Sequence, residues 1–166
     1  MQDQTTVRQS MSGPSIRYEF KRDFRVPFFM TVDVETMTGD QRLNVYRFTA
    51  GSEFKPFRPI PLALKYGLSH YFQEVKTPNA DPSDEGGQLY IATEYRANPW
   101  LQLGLTYYSD DIEGTDPDDP GDYIELQRLE YSVFVSPPDT NISVGITYAE
   151  VGSNCSYGML MLRWRR

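Results

Sequence analysis

The chain of 166 residues is long enough for one domain, and its 16 Lys and Arg residues against 23 Asp and Glu residues give a net charge of −7. This acidic balance argues against a nucleic-acid-binding protein, which needs basic patches. The single cysteine, Cys155, excludes an internal disulfide, and the single histidine, His70, excludes a histidine-rich metal site. We expect Cys155 to be a small residue in a loop.

The apolar runs are short, and none approaches the ~20 residues that a membrane-spanning helix needs. The N-terminus shows no signal-peptide pattern, so we expect either a cytosolic protein or a mature form with an added initiator Met. Residues 1–15 are polar, and we expect them to form a disordered or extended segment ahead of a single domain over residues 16–166.

Apolar and polar residues alternate along most of this domain. A period of two residues predicts β-strands, because successive side chains of a strand point to opposite faces. The regular segments, in chain order, are SIRYEFKRDF, FMTVDVE, LALKYGLSHYF, LYIATEYR, WLQLGLTYY, ISVGITYAEV and YGMLMLRWRR. The alternation is less regular over residues 42–54 and 123–135, and a shift of phase near Gln127–Leu129 predicts a β-bulge there.

The connections between these segments alternate between short and long. The short ones are residues 55–61, 97–99 and 136–140, and the long, polar ones are residues 76–87 and 109–122. Alternate connections of an antiparallel meander lie at the same end of the sheet, so one end has tight turns and the other has long loops. We find no helical segment of useful length. The sequence therefore predicts an all-β, up-and-down antiparallel barrel, closed because closure removes the unpaired edges.

The sequence is compatible with more than one number of strands. Eight candidates begin near Phe28, Leu43, Leu62, Gln88, Trp100, Tyr123, Ile142 and Ser156. The stretch at residues 15–24 would make nine, whereas bacterial single-chain barrels have even numbers of strands. Three explanations are open. The stretch is an extra N-terminal segment, or it continues through Pro27 into the next strand, or residues 4–10 form a further strand and the total is ten. We favour eight strands and keep ten as the alternative.

The two faces of the predicted strands differ in chemistry. One is bulky and apolar, and the other is small or charged with both signs. The small set is Gly67, Gly104, Gly145, Gly158, Ala63, Ala92, Ala149, Ser69, Ser143, Thr31, Thr106 and Thr147. The charged set is Arg17, Glu19, Lys21, Asp23, Asp33, Glu35, Lys65, Glu94, Arg96 and Arg163.

A solvated face gains nothing from glycine, which weakens strands, whereas the narrow interior of a barrel requires small side chains. Opposite charges in that interior can pair with each other. These faces favour a transmembrane barrel with its apolar face toward lipid. The alternative is a soluble, lipocalin-like ligand-binding barrel with its apolar face turned inward.

Tyr and Trp residues lie toward the ends of the apolar stripes, as in the aromatic belts of membrane proteins. They are Tyr66, Tyr95, Trp100, Tyr107, Tyr148 and Trp164. Over residues 24–166 the chain resembles the small outer-membrane β-barrels of Gram-negative bacteria, the OmpX/OmpA-barrel class. The segments that carry the resemblance are YRANPWLQLGLTYY, ISVGITYAEV and YGMLMLRWRR. The resemblance implies an outer-membrane location and contacts with membrane lipid and lipopolysaccharide. Members typically end on an aromatic residue, whereas here Arg165 and Arg166 follow Trp164.

We expect function to lie on the long external loops, because the interior of an eight-stranded barrel is filled by side chains and closed to diffusion. The predicted function is a non-enzymatic structural or interaction module, with a protein partner in a membrane complex left open. We assign no catalytic, cofactor or metal residues.

The loop Ser109–Asp122 has seven acidic residues and no basic one, which suggests either divalent-cation binding or a solvated loop.

The enzyme alternative is a lipid A-modifying barrel that uses Ser69, His70 and Glu74. Nucleophile activation requires a hydrogen bond from the serine to its base. Ser69 and His70 are adjacent in sequence, so we expect their side chains to point to opposite faces of one strand. The pattern therefore argues against this chemistry.

Overall fold

The computed structural model describes residues 9–22, 27–39, 42–56, 59–76, 83–109, 127–151 and 155–165, and this part of the chain is all-β. Nine strands form one closed barrel in chain order. They are β1 (Gln9–Arg22), β2 (Phe28–Thr38), β3 (Arg42–Phe54), β4 (Leu62–Lys76), β5 (Ser83–Asn98), β6 (Leu101–Tyr108), β7 (Arg128–Val135), β8 (Ile142–Val151) and β9 (Cys155–Arg165). The described ranges contain no helix long and apolar enough to cross a membrane.

The barrel closes through a parallel pair, β1 with β9, whereas all the other neighbouring strands are antiparallel. The register of this pair is continuous from Gln9 opposite Cys155 to Glu19 opposite Arg165. Nine strands differ from both the eight that we favoured and the alternative of ten. The parity argument fails because it assumes an antiparallel closing pair, and a parallel pair allows an odd number.

Several element boundaries also differ from the sequence predictions. The first strand begins at Gln9, upstream of the boundary that we expected at residue 16, and residues 1–8 lie outside the described part. The fifth strand begins at Ser83, so the second part of the predicted loop 76–87 is strand. Cys155 is the first residue of β9 and not a loop residue.

The predicted bulge near Gln127–Leu129 is absent from the described part of β7, whose register with β6 is regular from Arg128 onward. A register irregularity instead interrupts the pairing of β5 with β6, between Arg96 and Asn98. Most of the acidic loop, residues 110–122, and the predicted strand start at Tyr123 lie outside the described residues.

We call the two ends of the barrel the turn end and the loop end. The turn end carries the connections at residues 23–27, 55–61, 99–100 and 136–141, and the loop end carries those at residues 39–41, 77–82, 109–127 and 152–154. The predicted difference in length therefore comes from one connection, that between β6 and β7. Asn98 tightens one turn, since its side-chain oxygen accepts hydrogen bonds from the backbone N–H groups of Trp100 at 3.0 Å and Leu101 at 2.9 Å.

One row of inward-facing residues shows how the chain fits bulky groups inside. The register aligns Phe29, Gly51, Gly67, Tyr90 and Tyr108 on five successive strands. A Cβ on either glycine would lie 2.1 Å from a backbone oxygen of the neighbouring strand. The Phe29 and Tyr90 ring centroids are 5.6 Å apart although the two glycine strands separate β2 from β5. Because Gly51 and Gly67 have no side chains, β3 and β4 can approach closely, and the rings of Phe29 and Tyr90 meet across them.

Candidate functional site

The outer face of the barrel is apolar on every strand. Leu103 is 41%, Val144 47% and Leu160 61% exposed, and large apolar side chains with comparable exposure come from all nine strands. These residues are the bulky face of the sequence pattern, which the structure turns outward as predicted. Soluble monomers rarely expose apolar patches larger than a few hundred Å². A continuous apolar surface around the whole barrel is therefore the first element of the candidate site.

Outward-facing aromatic side chains lie near both ends of the barrel. Trp100 is in the turn between β5 and β6, and Trp164 lies near the turn end of β9, where its ring contacts Tyr18 edge-on at 5.6 Å. Tyr107 and Tyr148 lie toward the loop end of their strands. Tyr66 is further from the end of β4 than the aromatic pattern suggested.

The interior contains a network of ion pairs, the loop-side ion cluster, formed by Arg17, Arg47, Arg128, Asp33, Glu35 and Glu130. Arg128 donates hydrogen bonds of 3.0 and 2.9 Å to the two carboxylate oxygens of Glu35, and lies 2.7 Å from Glu130. Arg17 pairs with both carboxylate oxygens of Asp33. Three cations face three anions here, so the cluster is neutral.

A second network, the turn-side ion cluster, is formed by Lys21, Lys65, Arg163, Arg165, Glu19, Glu53 and Glu94. The Lys65 ammonium bridges Glu19 at 3.1 Å and Glu94 at 2.9 Å. Arg163 reaches the same Glu94 carboxylate at 3.2 Å and stacks on the Phe134 ring at 3.7 Å. The alternating charges that the sequence placed on one face therefore pair inside the barrel.

Large side chains fill the rest of the interior. Tyr108 and Phe134 are completely buried, and the guanidinium of Arg47 lies 4.4 Å from the centre of the Tyr108 ring. At the loop end an apolar cluster is formed by Met37, Leu43, Val45, Ala149, Val151, Tyr157 and Met159. The centre of the barrel is thus packed with side chains, as expected for a barrel of this size.

The structure corrects one member of the predicted inward face and adds others. Gly158 is exposed, because it shares the parity of Leu160 in β9 and not that of Met159. Arg96 is exposed at the turn end but keeps the inward parity, because it is the register partner of the buried Gln102. Asp23 lies outside the described residues. Arg47 and Arg128 were not predicted to face inward, because they lie in the two segments with less regular alternation. Every second residue around each arginine faces inward, as Val45 and Thr49 do around Arg47, and this alternation is the signal that could have identified both arginines.

The residues of the enzyme alternative do not form a catalytic arrangement. Ser69 points inward, where its hydroxyl shares a hydrogen bond of 2.9 Å with that of Thr49. His70 is exposed on the outer face opposite Phe48, and Glu74 has the parity of His70. No group of three metal-ligating side chains occurs among the residues that the structure describes.

Comparison with known proteins adds no assignment. The chain matches no family model, no curated protein and no solved structure. The fold defines the class as an all-β protein with a closed nine-stranded barrel.

Proposed function

We propose that this chain is a small outer-membrane β-barrel of a Gram-negative bacterium that acts as a non-enzymatic structural or interaction module through its external loops. The observation that carries the proposal is the distribution of polarity. Apolar side chains cover the outside of all nine strands, and charged groups are buried within. A bilayer supplies the apolar solvent that such an outer face needs, and a closed barrel satisfies every strand edge.

The soluble alternative requires the opposite arrangement. A lipocalin-like barrel that binds an apolar ligand needs an apolar interior and a solvated outer face. Here Asp33, Glu35 and Arg47 are at most 1% exposed, whereas Ile146 is 67% exposed. This distribution favours membrane lipid and lipopolysaccharide as the surroundings of the outer face.

The proposed module is closed to diffusion. Arg47, Arg128, Tyr108 and Lys65 are among the largest fully buried side chains, and they project into the centre from different strands. Ion pairs and aromatic contacts hold these side chains together, so solute passage would require several pairs to break at once. The contacts with a partner would then be made by the loops.

The membrane proposal is tested by the requirement for detergent and by heat-modifiable migration on a gel. We expect the purified chain to stay in solution only with detergent, and to migrate faster unheated than boiled because the closed sheet resists the detergent. A monomer that stays soluble at high concentration without detergent would refute the proposed location. Small soluble barrels prepared in the same way serve as the control.

Closure to diffusion is tested by electrical recording from planar bilayers that contain the refolded protein. We expect no stepwise conductance, because the interior is occupied by packed and paired side chains. A porin recorded under the same conditions provides the positive control. Reproducible conductance steps that scale with the amount of protein would show that the interior opens.

A further inference from the structure

A cavity of about 360 Å³ opens at the turn end of the barrel. One wall is the segment Ile60–Ala63, which enters β4. The opposite side carries polar and charged side chains from five strands and the 55–61 connection. They are Lys21, Glu53, Lys55, Glu94, Arg96, Gln102 and Arg165. This volume is at the small end of the range for pockets that enclose organic ligands.

The cavity has an excess of positive charge. Together with their ion-paired neighbours, the described lining residues supply six cations and three anions. The cations are Lys21, Lys55, Lys65, Arg96, Arg163 and Arg165, and the anions are Glu19, Glu53 and Glu94. The loop-side ion cluster, by contrast, is neutral. An uncompensated excess of cations next to a cavity favours an anionic ligand.

Two donors beside this cavity have no partner within the described part of the chain. The Arg96 guanidinium is exposed and forms no ion pair there. Gln102 is only 5% exposed, and its side-chain amide nitrogen has no hydrogen-bond partner there. An unpaired buried donor destabilises a fold, so its presence needs an explanation. A ligand oxygen in the cavity would accept the missing hydrogen bond from the Gln102 amide.

We propose that this cavity binds an organic phosphate. The phosphate oxygens would accept hydrogen bonds from the Arg96 guanidinium and the Gln102 amide, with Lys21 and Lys55 contributing charge. The apolar part of the ligand would lie against the wall at 60–63. Arginine and lysine together suit a phosphate, because the guanidinium binds two oxygens at once and the ammonium acts as a point charge. The inference does not depend on the proposed membrane location.

The test is calorimetric titration of the refolded protein with phenyl phosphate, in neutral detergent if the protein requires one. We expect saturable binding of one phenyl phosphate per chain and no binding of benzyl alcohol, its uncharged analogue. Arg96→Gln should weaken binding about tenfold or more, since a hydrogen bond to a charged group contributes that much. Gln102→Leu should weaken it as well, with the fold verified by unchanged heat-modifiable migration or circular dichroism.

The matched control is Arg42→Gln, which removes the same charge from an exposed position at the loop end of β3. Its affinity should equal that of the unmodified protein. Absence of binding by the unmodified protein would overturn the proposal. Equal losses in Arg96→Gln and Arg42→Gln would also overturn it, because they would indicate general charge attraction.

A competition experiment separates the two sources of the phosphate. Dihexanoyl phosphatidylglycerol below its micellar concentration competes with phenyl phosphate if the cavity accepts a lipid headgroup. Glycerol 3-phosphate competes alone if it accepts a soluble monoester. Either result supports the site and identifies its ligand class, whereas failure of both to displace phenyl phosphate would overturn the assignment to natural organic phosphates.

Discussion

At the scale of single residues, the interior depends on buried charged side chains whose partners carry the opposite charge. Glu35 is the clearest case, because it is completely buried and faces two guanidinium groups. Its bidentate contact with Arg128 joins β2 to β7 across the barrel, between strands that are not neighbours. Removing one partner of such a pair leaves an uncompensated charge in the interior.

Glu35→Gln should therefore lower the free energy of unfolding by about 3 kcal/mol or more. Glu150→Gln, at an exposed position of β8, removes the same charge from the surface and should change stability by less than about 1 kcal/mol. Urea titration of the refolded barrel, followed by tryptophan fluorescence, measures both. Similar losses in the two variants would show that the interior pairs contribute no more than surface charges.

Gly67→Ala should destabilise the barrel by about 1–3 kcal/mol, because the new methyl group would meet a backbone oxygen at 2.1 Å. Gly158→Ala is the control, since nothing lies within 4 Å of a Cβ at that position. Its stability should stay unchanged or rise by a few tenths of a kcal/mol. The same urea titration applies, and a neutral Gly67→Ala would contradict the close approach of β3 and β4.

The residue pattern was predictable where alternation was regular, and less so elsewhere. The side chains of Thr31, Asp33 and Glu35 lie on the face that the sequence assigned to them. The pairing of particular charges was not predictable, because it depends on which strands face each other across the interior. Gly158 was assigned by its size alone, although its parity in β9 places it outside.

At the scale of strands, local alternation indicates that a segment is a strand but not which strand it joins. The stretch around Ile16 alternates as regularly as the others, yet its partner β9 is distant in sequence. We rejected a ninth strand only on the parity of other barrels. A barrel of nine strands is possible because β1 pairs in parallel with β9. This pairing joins segments that are distant in sequence, so no local pattern predicts it.

A cysteine pair tests this closure, in a Cys155→Ser background that removes the native thiol. Ile16→Cys with Leu162→Cys should form a disulfide on mild oxidation, because these residues are register partners and adjacent strands are about 4.8 Å apart. Val34→Cys with Leu162→Cys should not, since β1 lies between β2 and β9. Gel mobility and mass spectrometry detect the cross-link. The reverse outcome would mean an eight-stranded barrel that excludes β1.

At the scale of the whole molecule, the sequence predicted which face is turned outward but not how the ends of the barrel differ in charge. The outward orientation follows from local alternation together with the small volume of a barrel interior. The excess of cations at the turn end arises from residues of several strands, including Lys21, Arg96 and Arg165. Their convergence is a property of the closed barrel, so the cavity was absent from the sequence predictions.

Ile146→Arg tests the outer surface as a whole, because Ile146 is the most exposed of the large apolar residues that the structure describes. On a lipid-facing surface the substitution should destabilise the folded barrel by about 2–4 kcal/mol if the position is near the bilayer midplane. Asn141→Arg, in the exposed turn before β8, should have an effect within about 0.5 kcal/mol. Refolding into vesicles at graded urea concentrations measures both, and equal, small effects would indicate a water-exposed surface.

The parallel pairing of β1 with β9 has a topological consequence for the chain ends. In an up-and-down barrel with an even number of strands, the first strand begins and the last strand ends at the same end of the barrel. In this barrel, β1 begins at the loop end and β9 ends at the turn end. If the barrel crosses a bilayer, whatever is attached ahead of Gln9 and whatever is attached beyond Arg165 therefore occupy separate compartments. Epitopes added at the two termini would become accessible to antibody from opposite sides of the same membrane.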